Sequence, residues 1–181
     1  PYYDGTDDYV NLTSYATAFA ALTQGTIECW VQRESGKDAT LFWMADHDQK
    51  DRFGGLMIGG SNSLLRWYIR DASLTIADEL DSVPTISADT PHLVAIAVDS
   101  TGTLMCVDGE SVSYTGTDNK RFFSSLTGQD VCYHGVAEGF TLGTLIGWTK
   151  GYLPLLRVYN IKLPLGVLRD HWEREQHYFG V

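Results

Sequence analysis

Short apolar runs rich in Val, Ile, Tyr, Trp and Thr recur along this chain between clusters of Gly, Asp, Asn and Ser, and several of them alternate apolar and polar residues with a period of two. Period-two runs with such punctuation predict β-strands, and their regular spacing predicts an antiparallel sandwich. The expected strands are Tyr9–Leu12, Gly25–Arg33, Ala39–Ala45, Gly55–Gly59, Leu64–Asp71, Ser73–Ala77, His92–Asp99, Thr103–Val107, Phe140–Ile146 and Leu153–Tyr159.

Alternation also assigns faces. Leu65, Trp67 and Ile69 share one side of their strand and Arg66, Tyr68 and Arg70 the other, which is expected to face outward. In Gly25–Arg33 the sets are Ile27, Cys29 and Val31 against Thr26, Glu28, Trp30 and Gln32. Trp30 therefore sits among polar neighbours. Its indole is read as covered by another element, since a bare Trp is costly, with a sugar-stacking surface as the alternative.

The run His92–Asp99 is apolar on both faces, as in a central strand with a layer over each side. Asp99-Ser100-Thr101-Gly102 then reads as a hairpin turn, and Asp108-Gly109 as a second one. Helical periodicity appears only at the end, where Pro164 can open a helix and Leu165, Leu168 and Trp172 fall on one stripe. The expected architecture is an all-β, two-sheet antiparallel jelly-roll sandwich with a short C-terminal helix. At 181 residues the chain fits one domain, residues 1–181, expected to be part of a longer protein because it opens on Pro1 and not Met.

Charge narrows the partners. Thirteen basic against 23 acidic residues leave a formal net charge of -10, which repels phosphate backbones and anionic membrane surfaces alike. No nucleic-acid partner and no membrane insertion are expected, and no apolar run approaches the roughly 20 residues of a span. Cys29, Cys106 and Cys132 each lie in an apolar run without C-x-x-C spacing, so they read as buried thiols and point to folding in a reducing cytoplasm. Later work at an extracellular or virion surface is compatible with that origin.

Five segments in order resemble a known family: Asp4-Gly5-Thr6-Asp7-Asp8-Tyr9-Val10; Gly25-Thr26-Ile27-Glu28-Cys29-Trp30-Val31; His92-Leu93-Val94-Ala95-Ile96; Asp99-Ser100-Thr101-Gly102 with Val107-Asp108-Gly109-Glu110; and Leu156-Arg157-Val158-Tyr159-Asn160 before the helix. Their order is similar to that of the concanavalin A-like lectin/glucanase superfamily, in its laminin-G-like or pentraxin-like form. The resemblance implies a curved jelly-roll, frequent calcium binding, and frequent attachment to glycosidases, adhesins and bacteriophage tail or virion proteins. One departure is the apolar Leu153-Pro154-Leu155-Leu156, read as a buried subunit contact.

The chain is not expected to be an enzyme. Glucanases of this fold place three acids at alternate positions of one strand, with the reacting pair about 5–5.5 Å apart in retaining enzymes. Glu79-Leu80-Asp81 offers two, and Pro84 follows closely, so Asp78, Glu79 and Asp81 are expected to form a solvated turn. There is no G-x-S-x-G elbow, no H-E-x-x-H motif and no phosphate-cradling Gly loop, and the five histidines show no ligand spacing.

Two acidic stretches could offer hard oxygens to a structural calcium ion: Asp46, Asp48 and Asp51, in the segment Asp46–Arg52, and Asp4, Asp7 and Asp8. For a glycan, the requirement is an aromatic platform beside planar polar groups. Arg66, Tyr68 and Arg70 meet it on one sheet face, and Trp148, Lys150 and Tyr152 at the Gly147–Gly151 turn. The expected function is a non-catalytic, lectin-like carbohydrate-binding domain of a surface or bacteriophage tail/virion protein, with a glycan or polysaccharide and other subunits of an assembly as partners. The alternative is a purely structural, decoration or oligomerisation domain.

Overall fold

In the computed structural model, which describes residues 1–71, 76–138 and 143–181 and only the backbone at 50, 51, 76 and 77, the alternating runs become two large antiparallel sheets. The strands are β1 (Tyr2–Asp4), β2 (Val10–Asn11), β3 (Gly25–Arg33), β4 (Ala39–Asp46), β5 (Gln49–Ile58), β6 (Leu64–Arg70), β7 (Ile76–Thr85), β8 (His92–Asp99), β9 (Gly102–Val107), β10 (Glu110–Val112), β11 (Tyr114–Thr117), β12 (Val131–His134), β13 (Ala137–Glu138), β14 (Leu145–Ile146) and β15 (Lys150–Tyr159). The first sheet runs β1-β15-β3-β8-β9-β10 and the second β11-β7-β6-β5-β4-β12-β2, with β13-β14 as a separate pair. Helix α1 (Ala16–Ala20) lies between β2 and β3 in the chain, and α2 (Leu165–Phe179) closes it. Residues 73–75 of the expected strand Ser73–Ala77, and 140–142 of Phe140–Ile146, lie outside the described residues.

The inner faces meet where the alternation places them. Ile27, Cys29, Val31, Val94, Ile96 and Val98 of the first sheet pack against Leu56, Ile58, Leu65, Trp67, Ile69 and Leu80 of the second. Along β6 the burial alternates strictly, Leu65, Trp67 and Ile69 inward and Arg66, Tyr68 and Arg70 outward. Trp67 stacks on Phe122 at 5.5 Å between centroids, and Phe123 bridges toward Phe42 at 5.4 Å. These two phenylalanines come from a turn that has no periodic signal.

Both expected hairpin turns form. Asp108 and Gly109 have φ of 51° and 76°, and Val107 pairs with Glu110, so they make a two-residue turn with both central residues left-handed. At the other, the Asp99 carboxylate accepts from the amides of Thr101 and Gly102.

Helix α2 lies on the outer face of the first sheet, where Leu168 joins Leu163, Ala95 and Cys106 in a smaller apolar cluster. This explains why β3 and β8 are buried on both faces. Trp30 is fully buried there, stacked on Phe179 at 4.2 Å, so the covered reading of its indole holds. Beneath the helix, Glu28 is 1% exposed and pairs with Arg157 and His171. Such a buried carboxylate needs the Arg157 guanidinium, because desolvation alone would make it costly.

One expectation changes. Asp78, Glu79 and Asp81 do not form a solvated turn: they run through β7, with Asp78 and Leu80 inward. Pro84 is accommodated because the β6–β7 register shifts between Leu64↔Thr85 and Arg66↔Asp81, a bulge that removes the need for its missing N–H. Asp46–Arg52 is a tight strand-to-strand connection, since Asp46 pairs with Gln49 and β5 starts there. In the Leu153–Leu156 run, a register shift between Tyr152 and Leu155 lets both Leu153 and Leu156 pack inward, while Pro154 stays exposed.

Candidate functional site

The outward face of the second sheet carries a second apolar cluster. Trp43, Ala45, Phe53 and Ala137 are buried together, with Met57 and Val131 against them. Trp43 lies on β4 and Phe53 on β5, and their rings stack at 5.1 Å with an interplanar angle of 21°. A glycine is required between them: a Cβ on Gly55 would lie 2.6 Å from Trp43 Cε3 and 2.3 Å from the Phe42 carbonyl oxygen. The bare backbone at 55 is what lets the indole lie down on the sheet.

Around these rings is a pocket of 290 Å³, lined by Trp43, Phe53 and Met57 on the floor, Tyr68, Arg70 and Glu79 on one side, and Asp38, Ala137, Glu138, Ile146 and Gly147 on the other. Glu138 belongs to the β13–β14 hairpin, which is fixed over the sheet by Thr40. The Thr40 hydroxyl donates to the Gly147 carbonyl at 2.7 Å, and its amide donates to the Thr149 hydroxyl at 2.9 Å. Gly147 takes a φ of 61° there.

The polar rim is pre-ordered. The Tyr68 hydroxyl donates to Glu79 Oε1 at 3.1 Å, and burial pushes its phenol up to about 12, with the neighbouring Glu79 adding to the shift. It therefore stays neutral and able to donate at ordinary pH. Arg66 holds Asp81 through Nε at 2.8 Å and Nη2 at 3.0 Å, a fork geometry that fixes both groups. The Arg66 guanidinium carbon sits 5.8 Å from the Tyr68 ring centre, and that of Arg70 the same distance from Phe53. Glu138, 4% exposed, accepts at Oε1 from Gly143 N and faces His47 Nδ1 at 2.9 Å. Among the described residues, Trp43 Nε1 and Glu138 Oε2 are buried without a partner.

The structure thus brings Tyr68 and Arg70 into one pocket and leaves Arg66 beside it, bound to Asp81. It separates the other cluster. Trp148 meets Tyr9 edge-on at 6.0 Å, Lys150 pairs with Glu34 at 3.1 Å, and Tyr152 meets Tyr2 at 5.0 Å. Lys150 and Tyr152 are strand residues of β15, not part of a turn. Tyr152 instead borders a 240 Å³ groove with Trp30, Tyr178 and Phe179 on the opposite sheet.

Of the acidic stretches, Asp46 accepts from Arg52 at 3.1 Å and from its own turn at Asp48 N. The Asp51 side chain lies outside the described ones. Asp4, Asp7 and Asp8 can each bring one oxygen within 4.8 Å of the others, while Asp4 and Asp8 also accept backbone amides of that turn.

Trp43, Phe53, Met57 and Glu138 were not legible as site residues. Phe42-Trp43-Met44-Ala45 is apolar throughout, so no alternation marks its outer face. Glu138 comes from a part of the chain without strand pattern.

No curated protein matches the chain. Among solved structures, the CBM40 of Ruminococcus gnavus IT-sialidase bound to α2,3 sialyllactose superposes with a TM-score of 0.77 at 20% identity, covering 90% of this chain and 91% of that one. The leech intramolecular trans-sialidase complexed with 2,7-anhydro-Neu5Ac matches with a TM-score of 0.74 at 21% identity, over 90% of this chain and 25% of that enzyme. A heptameric SAP-like pentraxin from Limulus polyphemus gives a TM-score of 0.60 at 11% identity, over 93% and 78%. A family model matches residues 4–165, so the chain belongs to the laminin G-like branch of the concanavalin A-like lectin/glucanases superfamily.

Proposed function

We propose that this chain is a non-catalytic carbohydrate-binding domain of a surface-exposed protein, and that it takes glycan in the pocket on the outer face of the second sheet. The observation that carries this reading is a pocket that sets the stacked Trp43 and Phe53 together with Tyr68, Arg70, Glu79 and Glu138. A sugar ring has an apolar face for such rings and hydroxyls for such polar groups. A module of the same fold bound to sialyllactose supports it.

Catalysis is disfavoured by the way the acids are used. Glu79 accepts from Tyr68 and Asp81 is held twice by Arg66, so neither is poised as a nucleophile or proton donor beside a free partner.

The test is a broad glycan array with and without calcium, on this chain and on Tyr68→Ala. The expected result is specific binding that the variant loses. Silence of the folded chain across the array would reject the reading.

A second reading, a structural or decoration role in a virion or other surface assembly, draws on the exposed Tyr2, Tyr152 and Tyr178 around the 240 Å³ groove. Light scattering tests it: a higher oligomer that dissociates in Tyr178→Ala is its expected result, and a monomer removes self-assembly.

A further inference from the structure

We infer that the pocket selects an uncharged sugar and rejects a carboxylated one; this rests on the glycan-binding reading above and names the ligand class for it. The first argument is charge. Asp38, Glu79 and Glu138 line the pocket as three carboxylates, against the single guanidinium of Arg70. Arg66, the other cation of that strand, has its fork filled by Asp81. A chain of formal net charge -10 adds a background of the same sign. An incoming carboxylate would be brought against Glu138, itself 4% exposed and facing His47 only through Oε1, where water screens poorly and like charges repel.

The second argument is hydrogen bonding. Trp43 Nε1 is a buried donor and Glu138 Oε2 a buried acceptor, both without a partner among the described residues. A hydroxyl both donates and accepts, so it matches either group. A carboxylate only accepts, and one placed at Glu138 would offer it no donor. The third is size: 290 Å³ lies just below the about 300–1,000 Å³ of small-molecule sites, room for one ring and not a chain. The aromatic floor takes that ring by its apolar face.

The experiment is calorimetric titration of the full chain with lactose, sialyllactose, neutral glucan oligosaccharides and oligouronates, repeated on Glu138→Gln and Glu79→Gln after circular dichroism has shown each variant folded. The expected result is that neutral sugars bind at least about tenfold tighter than their carboxylated counterparts, and that one or both variants narrow the gap. Sialyllactose or oligouronate binding as tightly as the neutral sugars would overturn the selection while leaving the glycan site standing. A preference that neither variant changes would also overturn it, because the pocket's carboxylates would not be the cause. No binding by any sugar would remove the glycan reading and this inference with it.

Discussion

Trp30 Nε1 donates to Glu175 Oε2 at 2.8 Å, tying the middle of β3 to the C-terminal half of α2. The same carboxylate accepts from Arg157, which reaches on to the buried Glu28. Glu175→Ala leaves Arg157 with Glu28 but strands a fully buried indole N–H, a change that costs about 1–3 kcal/mol. The expected fall in Tm is about 2–4 °C for each kcal/mol in a chain of this size. Thermal unfolding checks it, and Glu175→Gln, which keeps an acceptor, should recover most of the loss.

Asp78 gives stability an acid-side signature. Its buried carboxylate accepts from the amides of Asn119 and Arg121, yet burial outweighs these bonds and pushes its pKa from 3.8 up to about 6. Between those values the folded state holds more protons than the unfolded one, so this group's contribution is fully present below 3.8 and is lost as pH rises through about 6. His134 works oppositely: burial holds its pKa below the usual 6.5, so its contribution is present above that value and is lost as pH falls. Comparing denaturation of the parent and Asp78→Asn across this range isolates Asp78, and the variant should lose the downward slope.

Gly55 tests the pocket floor without touching the rim. Gly55→Ala places a methyl against Trp43 and the Phe42 carbonyl, an overpacking that costs about 1–3 kcal/mol. It should lower Tm and, by lifting the indole off the sheet, weaken glycan binding in the same titrations. Unchanged affinity in the folded variant would show that Trp43 is not part of the binding floor.

Asp4, Asp7 and Asp8 are the acidic group whose oxygens converge among the described residues. We expect calcium at ten times its Kd to raise the Tm by a few degrees, about 1.4 kcal/mol by mass action, and a chelator to reverse it. Asp7→Asn should abolish the response, while Asp48→Asn should not. A melt insensitive to calcium and chelator would remove the ion from the account.

The parts of this protein written in its sequence are those set by neighbours along the chain. Strict alternation in Leu65–Arg70 assigned each side chain of β6 to its face, because a strand turns successive Cβ atoms to opposite sides whatever it packs against. Asp108-Gly109 specified its hairpin for an equally local reason, since both residues tolerate positive φ.

What the tertiary structure alone decided depends on which distant surface arrives at each face. Trp30 reads as half-polar until α2, some 145 residues later in the chain, covers it. Asp78 reads as a turn acid until β7 is paired on both edges and its carboxylate meets the backbone after β11. The pocket draws Trp43, Phe53, Tyr68 and Glu138 from four strands, and only the order of those strands in space makes them neighbours. Local pattern tells a residue which way to point; the sheet order tells it what it will find there.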